Sequence, residues 1–285
     1  MLNRVLKKLF SSGNDELLVA TSKSVLHVTP KTGELKEVHT GAGLYYGIAT
    51  SDNGENIYVM ARNNADPFNY LSKEERSKEQ SKVLVMNRSL QVIDEILPPH
   101  AVTDFHQATF HKGKLWITCT ILNAIYIYDF SSWEIWYPLE NECKKGSDIN
   151  HFNSISVINN QVHIVAHNFG KSEILVFDID SRKLNKKISL GNCAHNVWYV
   201  DNALWVCDSA NQALRSCNGR VVSLQGFTRG VAEFSKGFYI GSSGLAERSD
   251  RKDVDSQIHV LTPNLDYIRS IPVEGFGQIL EIRLL

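Results

Sequence analysis

His106, His151 and His195 stand at matched or adjacent places in three successive segments of the chain. Asp104 lies two residues before the first, Asn153 two after the second, and Arg229 follows in the next segment. Three neutral imidazoles meeting from separate segments would form a borderline donor set suited to a divalent transition metal such as Zn, Fe, Cu or Mn. Asp104 and Asn153 would complete the shell or orient a ring through its second nitrogen. A metal held there would polarise a substrate oxygen or lower the pKa of a bound water. Arg229 is a fixed cation suited to gripping a carboxylate, sulfate or phosphate. Tyr46 and Tyr45 would supply phenol groups from the opposite wall. A His/Arg/Tyr pocket that binds an anion without a metal has the same residue pattern. Single histidines that only tie neighbouring elements together are the structural alternative.

These residues converge only if the elements place them. Short apolar runs of four to six residues recur along the chain, separated by turn chemistry such as Pro30-Lys31-Thr32-Gly33, Asp52-Asn53-Gly54 and His111-Lys112-Gly113-Lys114. Long helical periodicity is nearly absent. The repeat has a period of about 35–45 residues, the scale of a four-stranded propeller blade. IYVMA (57–61), LWITC (115–119), VHIVA (162–166), LWVCD (204–208) and FYIGS (238–242) align as second strands. Five full units start near residues 46, 106, 153, 195 and 229. A sixth combines GQILEIRLL (277–285) as first strand with ELLVA (16–20), VLHVT (25–29) and residues 35–38, which leaves no open edge. The expectation is all-β: a single six-bladed β-propeller spanning 15–285, closed by both termini in one blade, with five or seven blades as the alternatives.

In such a ring the first strand of each unit lines the axis. Counting nine residues back from the aligned second strands gives His106, Asn153, His195 and Arg229, with Tyr46 in the unit that has a longer hairpin. Strand alternation puts Asp104, His151, Cys193 and Phe227 on the same side, roughly 6–7 Å higher. The loops after the second strands add a polar rim: Arg62, Asn123, His167-Asn168, Asp208-Ser209, Ser242-Ser243 and Glu247-Arg248. His167 and Asp208 are read as substrate contacts or supports for the ligands, and Arg248 as an auxiliary cation.

Two segments stand outside the rhythm. Residues 1–14 place Leu2, Val5, Leu6, Leu9 and Phe10 on one face of a short basic amphipathic helix, read as a cap on the domain or a membrane-surface anchor. Its interspersed basic residues do not match a secretory signal. Residues 62–81 read as a polar insertion, either a solvated loop with a short helix or a lid; Ser72 and Glu75 have capping-box spacing.

The 285 residues carry 30 Lys+Arg and 31 Asp+Glu, a net charge of -1, so no global field recruits nucleic acid. With 43% hydrophobic and 21% charged residues the composition is that of a globular chain. No apolar run is long enough to cross a membrane as a helix. Five cysteines without a C-x-x-C spacing read as reduced thiols in a cytoplasm, with Cys119, Cys207 and Cys217 as small core residues. No phosphate-binding or dinucleotide glycine motif occurs, so no nucleotide cofactor is expected. Gly241-Ser242-Ser243-Gly244 is read as a turn and not as a nucleophile elbow. Trp133 and Trp136 pack a blade or, on a third reading, bind glycans.

Asp104-Phe-His-Gln107, His151-Phe-Asn-Ser-Ile155, Ala194-His-Asn-Val-Trp198, Leu204-Trp-Val-Cys-Asp-Ser209 and Gly226-Phe-Thr-Arg-Gly-Val-Ala232 occur in that order. The set resembles an uncharacterised bacterial family of conserved hypothetical proteins with Asp-Ile-His, His-Leu-Asn-Gly, Pro-His-Ser-Pro, Leu-Asp-Ser-Gly and Gly-Phe-Thr-Arg-Gly-Leu elements. The resemblance covers roughly residues 100–250. It implies His106, His151, Asn153, His195, Arg229 and Arg248 as a pocket set, and it implies no reaction. This chain departs from the pattern where both prolines beside His195 are missing and where Ser154 and Ala210 replace glycines. The functional expectation is a metal-dependent enzyme acting on a small anionic or sugar-like molecule. The alternative is a non-catalytic propeller that binds a ligand or protein partner on its polar face.

Overall fold

The computed structural model describes residues 15–41, 43–63, 79–140 and 147–285, apart from the side chains of Asn63 and Arg248. Six four-stranded antiparallel sheets form a six-bladed β-propeller. Blade 1 comprises Tyr45–Thr50, Asn56–Asn63, Gln80–Asn87 and Val92–Ile96; blade 2 comprises Phe105–His111, Lys114–Cys119, Ala124–Tyr128 and Trp133–Trp136. Blade 3 runs through Phe152–Ile158, Gln161–Ala166, Lys171–Asp178 and Leu184–Asn192; blade 4 through His195–Val200, Ala203–Asp208, Ala213–Ser216 and Val221–Ser223. Blade 5 is Phe227–Phe234, Gly237–Ser243, Ser256–Leu261 and Tyr267–Val273. Blade 6 orders Ile279–Leu284 beside Leu17–Thr21, Ser24–Thr29 and Glu34–Thr40. Its first two strands pair antiparallel, Val19 opposite Ile282.

Burial explains the apolar runs. A second strand is covered on both faces by the neighbouring blades, so Leu17–Thr21 and Ala203–Asp208 are buried at every position. Outer strands such as Val92–Ile96 face solvent almost throughout. Each of the six blade interfaces has its own apolar cluster: Tyr58 and Tyr126 lie in the one between blades 1 and 2, Leu18 and Ile48 in the one between blades 6 and 1.

Every inner strand is bulged near the axis, with register shifts at Tyr45/Ile48, Phe105/Ala108, Phe152/Ser154, His195/Val197 and Thr228/Val231, and opposite Ala20/Thr21 in blade 6. A bulge inserts one unpaired residue and re-aims the side chains beside it. Gly47 sits in the first bulge, where a Cβ would stand 2.5 Å from the Gln107 Cα, so only glycine lets blades 1 and 2 approach this closely.

Several expectations are corrected here. Arg62 and Ser81 pair across the blade 1 hairpin, as do Asn63 and Gln80, so the insertion is no wider than 64–79. Residues 64–78 and the expected helix at 1–14 lie outside the described residues. Cys217 is exposed, whereas Cys119 and Cys207 are core residues as expected. Trp136 packs edge-on to Phe177 at 4.9 Å beneath the Arg182 guanidinium, and Trp133 stacks on Tyr128 at 4.5 Å. Both tryptophans therefore pack blades. Among the described residues no helix is long and apolar enough to cross a membrane.

Candidate functional site

The inner ends of the blades surround an axial cavity of about 340 Å³. This lies toward the lower end of the ~300–1,000 Å³ typical of small-molecule sites. Tyr46, Asp104, His106, His151, His195 and Arg229 all line it, as their register predicts, and His167 joins them from the rim loop. The rings form a chain round the wall. Tyr46 stacks on His106 at 4.3 Å; His106 meets His151 at 5.2 Å, His151 meets His167 at 5.2 Å, and His167 meets His195 at 5.4 Å. Arg229 closes the circuit, with its guanidinium carbon 5.5 Å from the Tyr46 ring. Leu44, Ile121, Phe169, Phe227 and Leu280 supply the apolar wall.

Each imidazole is oriented by its Nδ1. The His106 Nδ1–H donates to the Asp104 carbonyl at 3.3 Å and the His151 Nδ1–H to the Asp148 carboxylate at 2.9 Å. The Ser209 hydroxyl spends its proton on the Thr228 carbonyl at 2.6 Å, so its oxygen accepts from the His195 Nδ1–H at 2.9 Å. His106 and His195, once neutral, then carry a lone pair on Nε2, and so does His151 in its neutral form. His167 is the reverse. Its Nδ1 accepts the Phe169 backbone N–H at 3.1 Å, so the neutral ring carries its proton on Nε2.

Burial, aided by neighbouring positive groups, keeps His106 and His195 neutral well below the ordinary imidazole range. Burial and the same surroundings pull His167 down to about 3. Burial also lowers the Arg229 guanidinium to about 10, which leaves it cationic at neutral pH. Its Nε donates to the Leu280 carbonyl at 3.0 Å, and among the described residues no carboxylate pairs with it. Asp104 is ion-paired: Arg62 Nη1 stands 3.0 Å away, off hydrogen-bond alignment. Arg62 also grips Glu79 through Nε at 2.9 Å. Burial alone would lower the Arg62 pKa, but Asp104, Tyr46 and Glu79 together raise it. Arg251 adds a second cation to the lining.

Directly beneath the histidines the axis is plugged. The fully buried Glu281 carboxylate accepts from Gln107 Nε2, from Asn196 Nδ2 at 3.1 Å and from the Ile282 N–H at 3.0 Å. The plug residues also bridge blades: Gln107 Oε1 accepts the Ile155 N–H at 2.8 Å and Asn196 Oδ1 the Gly230 N–H at 2.8 Å. Gln107, Asn196 and Glu281 each follow a cavity-lining residue (His106, His195 and Leu280) by one position. Asp148, Phe169 and Arg251 lie in loops, where strand counting gives no facing.

Other candidates lie elsewhere. Asn153 donates to the Ala194 carbonyl at 2.9 Å and ties blade 3 to blade 4. Asp208 is fully buried on Arg215 at 2.6 Å, on the Asn192 N–H and on Asn211. Cys193 does not line the cavity, and Tyr45 turns its hydroxyl to His39 at 2.8 Å. The Arg248 side chain is outside the described residues. Among the described residues no group of three or more His, Cys, Asp or Glu side chains is arranged to hold a metal ion. The rings lie in an arc, which His195 meets through His167.

No family model matches the chain, and no curated protein matches it by sequence. Among solved structures it overlays on a chain of a nidogen/laminin complex with a TM-score of 0.67 at 11% identity, over 95% of this chain and 98% of that one. At that identity the likeness shows the fold alone. Kuenenia stuttgartiensis hydrazine synthase gives a TM-score of 0.49 at 15% identity, over 84% of this chain and 70% of that one.

Proposed function

We propose that the axial cavity binds a small anionic molecule on Arg229 and that the imidazole arc handles its protons, making this propeller an enzyme of the acid–base type. The carrying observation is Arg229: a buried cation that among the described residues makes no direct ion pair, with Glu281 acting on it only from a distance, facing a cavity walled by neutral rings. Leaving such a charge uncompensated is costly, and an anion from solution offsets that cost. A bound anion also raises the pKa of adjacent imidazoles, bringing them toward the range in which they accept and return protons.

Titration calorimetry with inorganic phosphate, sulfate and acetate tests the reading. Binding to the wild-type chain that is lost in Arg229→Met, with the melting temperature retained, supports it. Equal binding by both proteins, or none by either, overturns it.

A second reading keeps the divalent transition metal. Its support is that His106, His151 and His195 are all anchored through Nδ1, which leaves Nε2 as the ligating atom. It requires the His195 ring to swing toward the other two. Elemental analysis of untagged protein decides it: stoichiometric metal lost in His195→Ala supports a metal, and metal-free protein that still binds phosphate excludes one. The alternative of a protein partner on the polar face gains weight only if neither metal nor anion binds.

A further inference from the structure

The polarity of the rings narrows what the anion carries. Nε2 of His106 and of His195 is a lone pair in a neutral ring, and among the described residues neither atom has a hydrogen-bond partner or is sealed in the core. His151 offers the same atom in its neutral form, its Nδ1–H being spent on Asp148. These positions can be satisfied only by donors. His167 Nε2–H and Arg229 offer the opposite polarity and need acceptors. A simple carboxylate, sulfate or phosphate dianion brings acceptors alone. It would answer Arg229 and His167 and leave the lone pairs facing acceptor oxygens. Hydroxyl groups both donate and accept, so a ligand with several of them matches the whole arc, and unmatched polar groups in an enclosed site are what such sites discriminate against.

Resting on the anion reading above, we infer that the ligand is a hydroxylated oxyanion, of the chemical class of a sugar acid, a hydroxy acid or a sugar phosphate. Its anionic head sits on Arg229. One oxygen accepts from His167 Nε2–H, and its hydroxyls donate to Nε2 of His106, His151 and His195. Phe169 and Phe227, beside His151 at 4.9 Å and His195 at 5.4 Å, give the carbon skeleton an apolar wall.

Matched pairs on the full-length protein separate this inference from the one beneath it. Calorimetry compares propionate with glycerate and methyl phosphate with glycerol 3-phosphate, with glycerol as the uncharged control. The expected result is a gain of about tenfold or more from the hydroxyls in at least one pair, and no binding of glycerol. The better pair tells a carboxylate head from a phosphate head. His195→Phe should cut the hydroxyl gain to less than about threefold, whereas His167→Phe, which removes a donor to the anion itself, should weaken both members of the better pair alike. If both members of each pair bind equally, the hydroxylated class is wrong and the anion site stands. If none of the anions binds, the anion site itself is wrong. Nitrogen-15 shifts of the imidazoles give a check that needs no variant: protonated Nδ1 at His106 and His195 with protonated Nε2 at His167 supports the assignment, and the opposite pattern at His195 or His167 overturns it.

Discussion

A histidine's Nδ1 partner decides what its other nitrogen offers. Four rings in this cavity receive four different partners: a carbonyl, a carboxylate, a serine oxygen and a backbone N–H. Two consequences are measurable. An anion beside neutral imidazoles draws protons onto them, so phosphate binding near pH 6 should be accompanied by proton uptake; calorimetry in buffers of different ionisation enthalpy reads it, and zero uptake would contradict coupling between Arg229 and the rings. The second concerns stability. His106, His167 and His195 are pulled below the roughly 6.5 of a free imidazole, His167 to about 3. Below about pH 6.5 the unfolded chain binds protons that the folded chain refuses, so stability is full above that pH and falls as acid is added. The melting temperature should drop progressively from about pH 6.5 toward 4, with Arg229 and Arg251 reinforcing the effect at His167. The slope should be shallower in His167→Phe; an unchanged slope would remove His167 as a contributor.

The inner strands do their work through bulges. Counting from the aligned second strands reaches His106, His195 and Arg229 because their hairpins have one length, and reaches Tyr46 once the longer hairpin of its unit is allowed for. The same count reaches Asn153, which does not line the cavity and instead donates its amide N–H to the Ala194 carbonyl. Bulges leave no signature in apolar alternation, and loop residues such as Asp148 and Arg251 have no strand parity to read. Gly47→Ala should destabilise the fold by about 1–3 kcal/mol in chemical denaturation, because its Cβ meets backbone that cannot withdraw. The same variant should weaken anion binding by displacing His106. Glu281→Gln should cost a similar ~1–3 kcal/mol, since Gln107, Asn196 and the Ile282 N–H all point donors at it and an amide brings a competing N–H. A Glu281→Gln protein as stable as wild type would show that the plug is dispensable.

At the scale of the whole molecule, six apolar interfaces hold six blades, and the last segment of chain pairs with the first described one. The period and the two-ended sixth unit were legible because every second strand is buried on both faces and so reads as a continuous apolar run. Deleting 279–285 removes the inner strand of blade 6 together with Leu280 and Glu281, so it strips one cavity wall and the axial plug at once. The truncated chain should lose its single cooperative unfolding transition, and retention of that transition would show a ring that does not depend on the strand. The likeness to the nidogen/laminin chain extends over nearly all of both chains, yet it concerns this scaffold and not the polar centre.

The central claim is a cation-lined anion site on the axis, and anomalous diffraction from crystals soaked in bromide reads it directly. The account predicts bromide within the cavity beside the Arg229 guanidinium, absent from Arg229→Met crystals treated alike. An axial cavity without bromide in the wild-type protein, or bromide persisting there without Arg229, would contradict it.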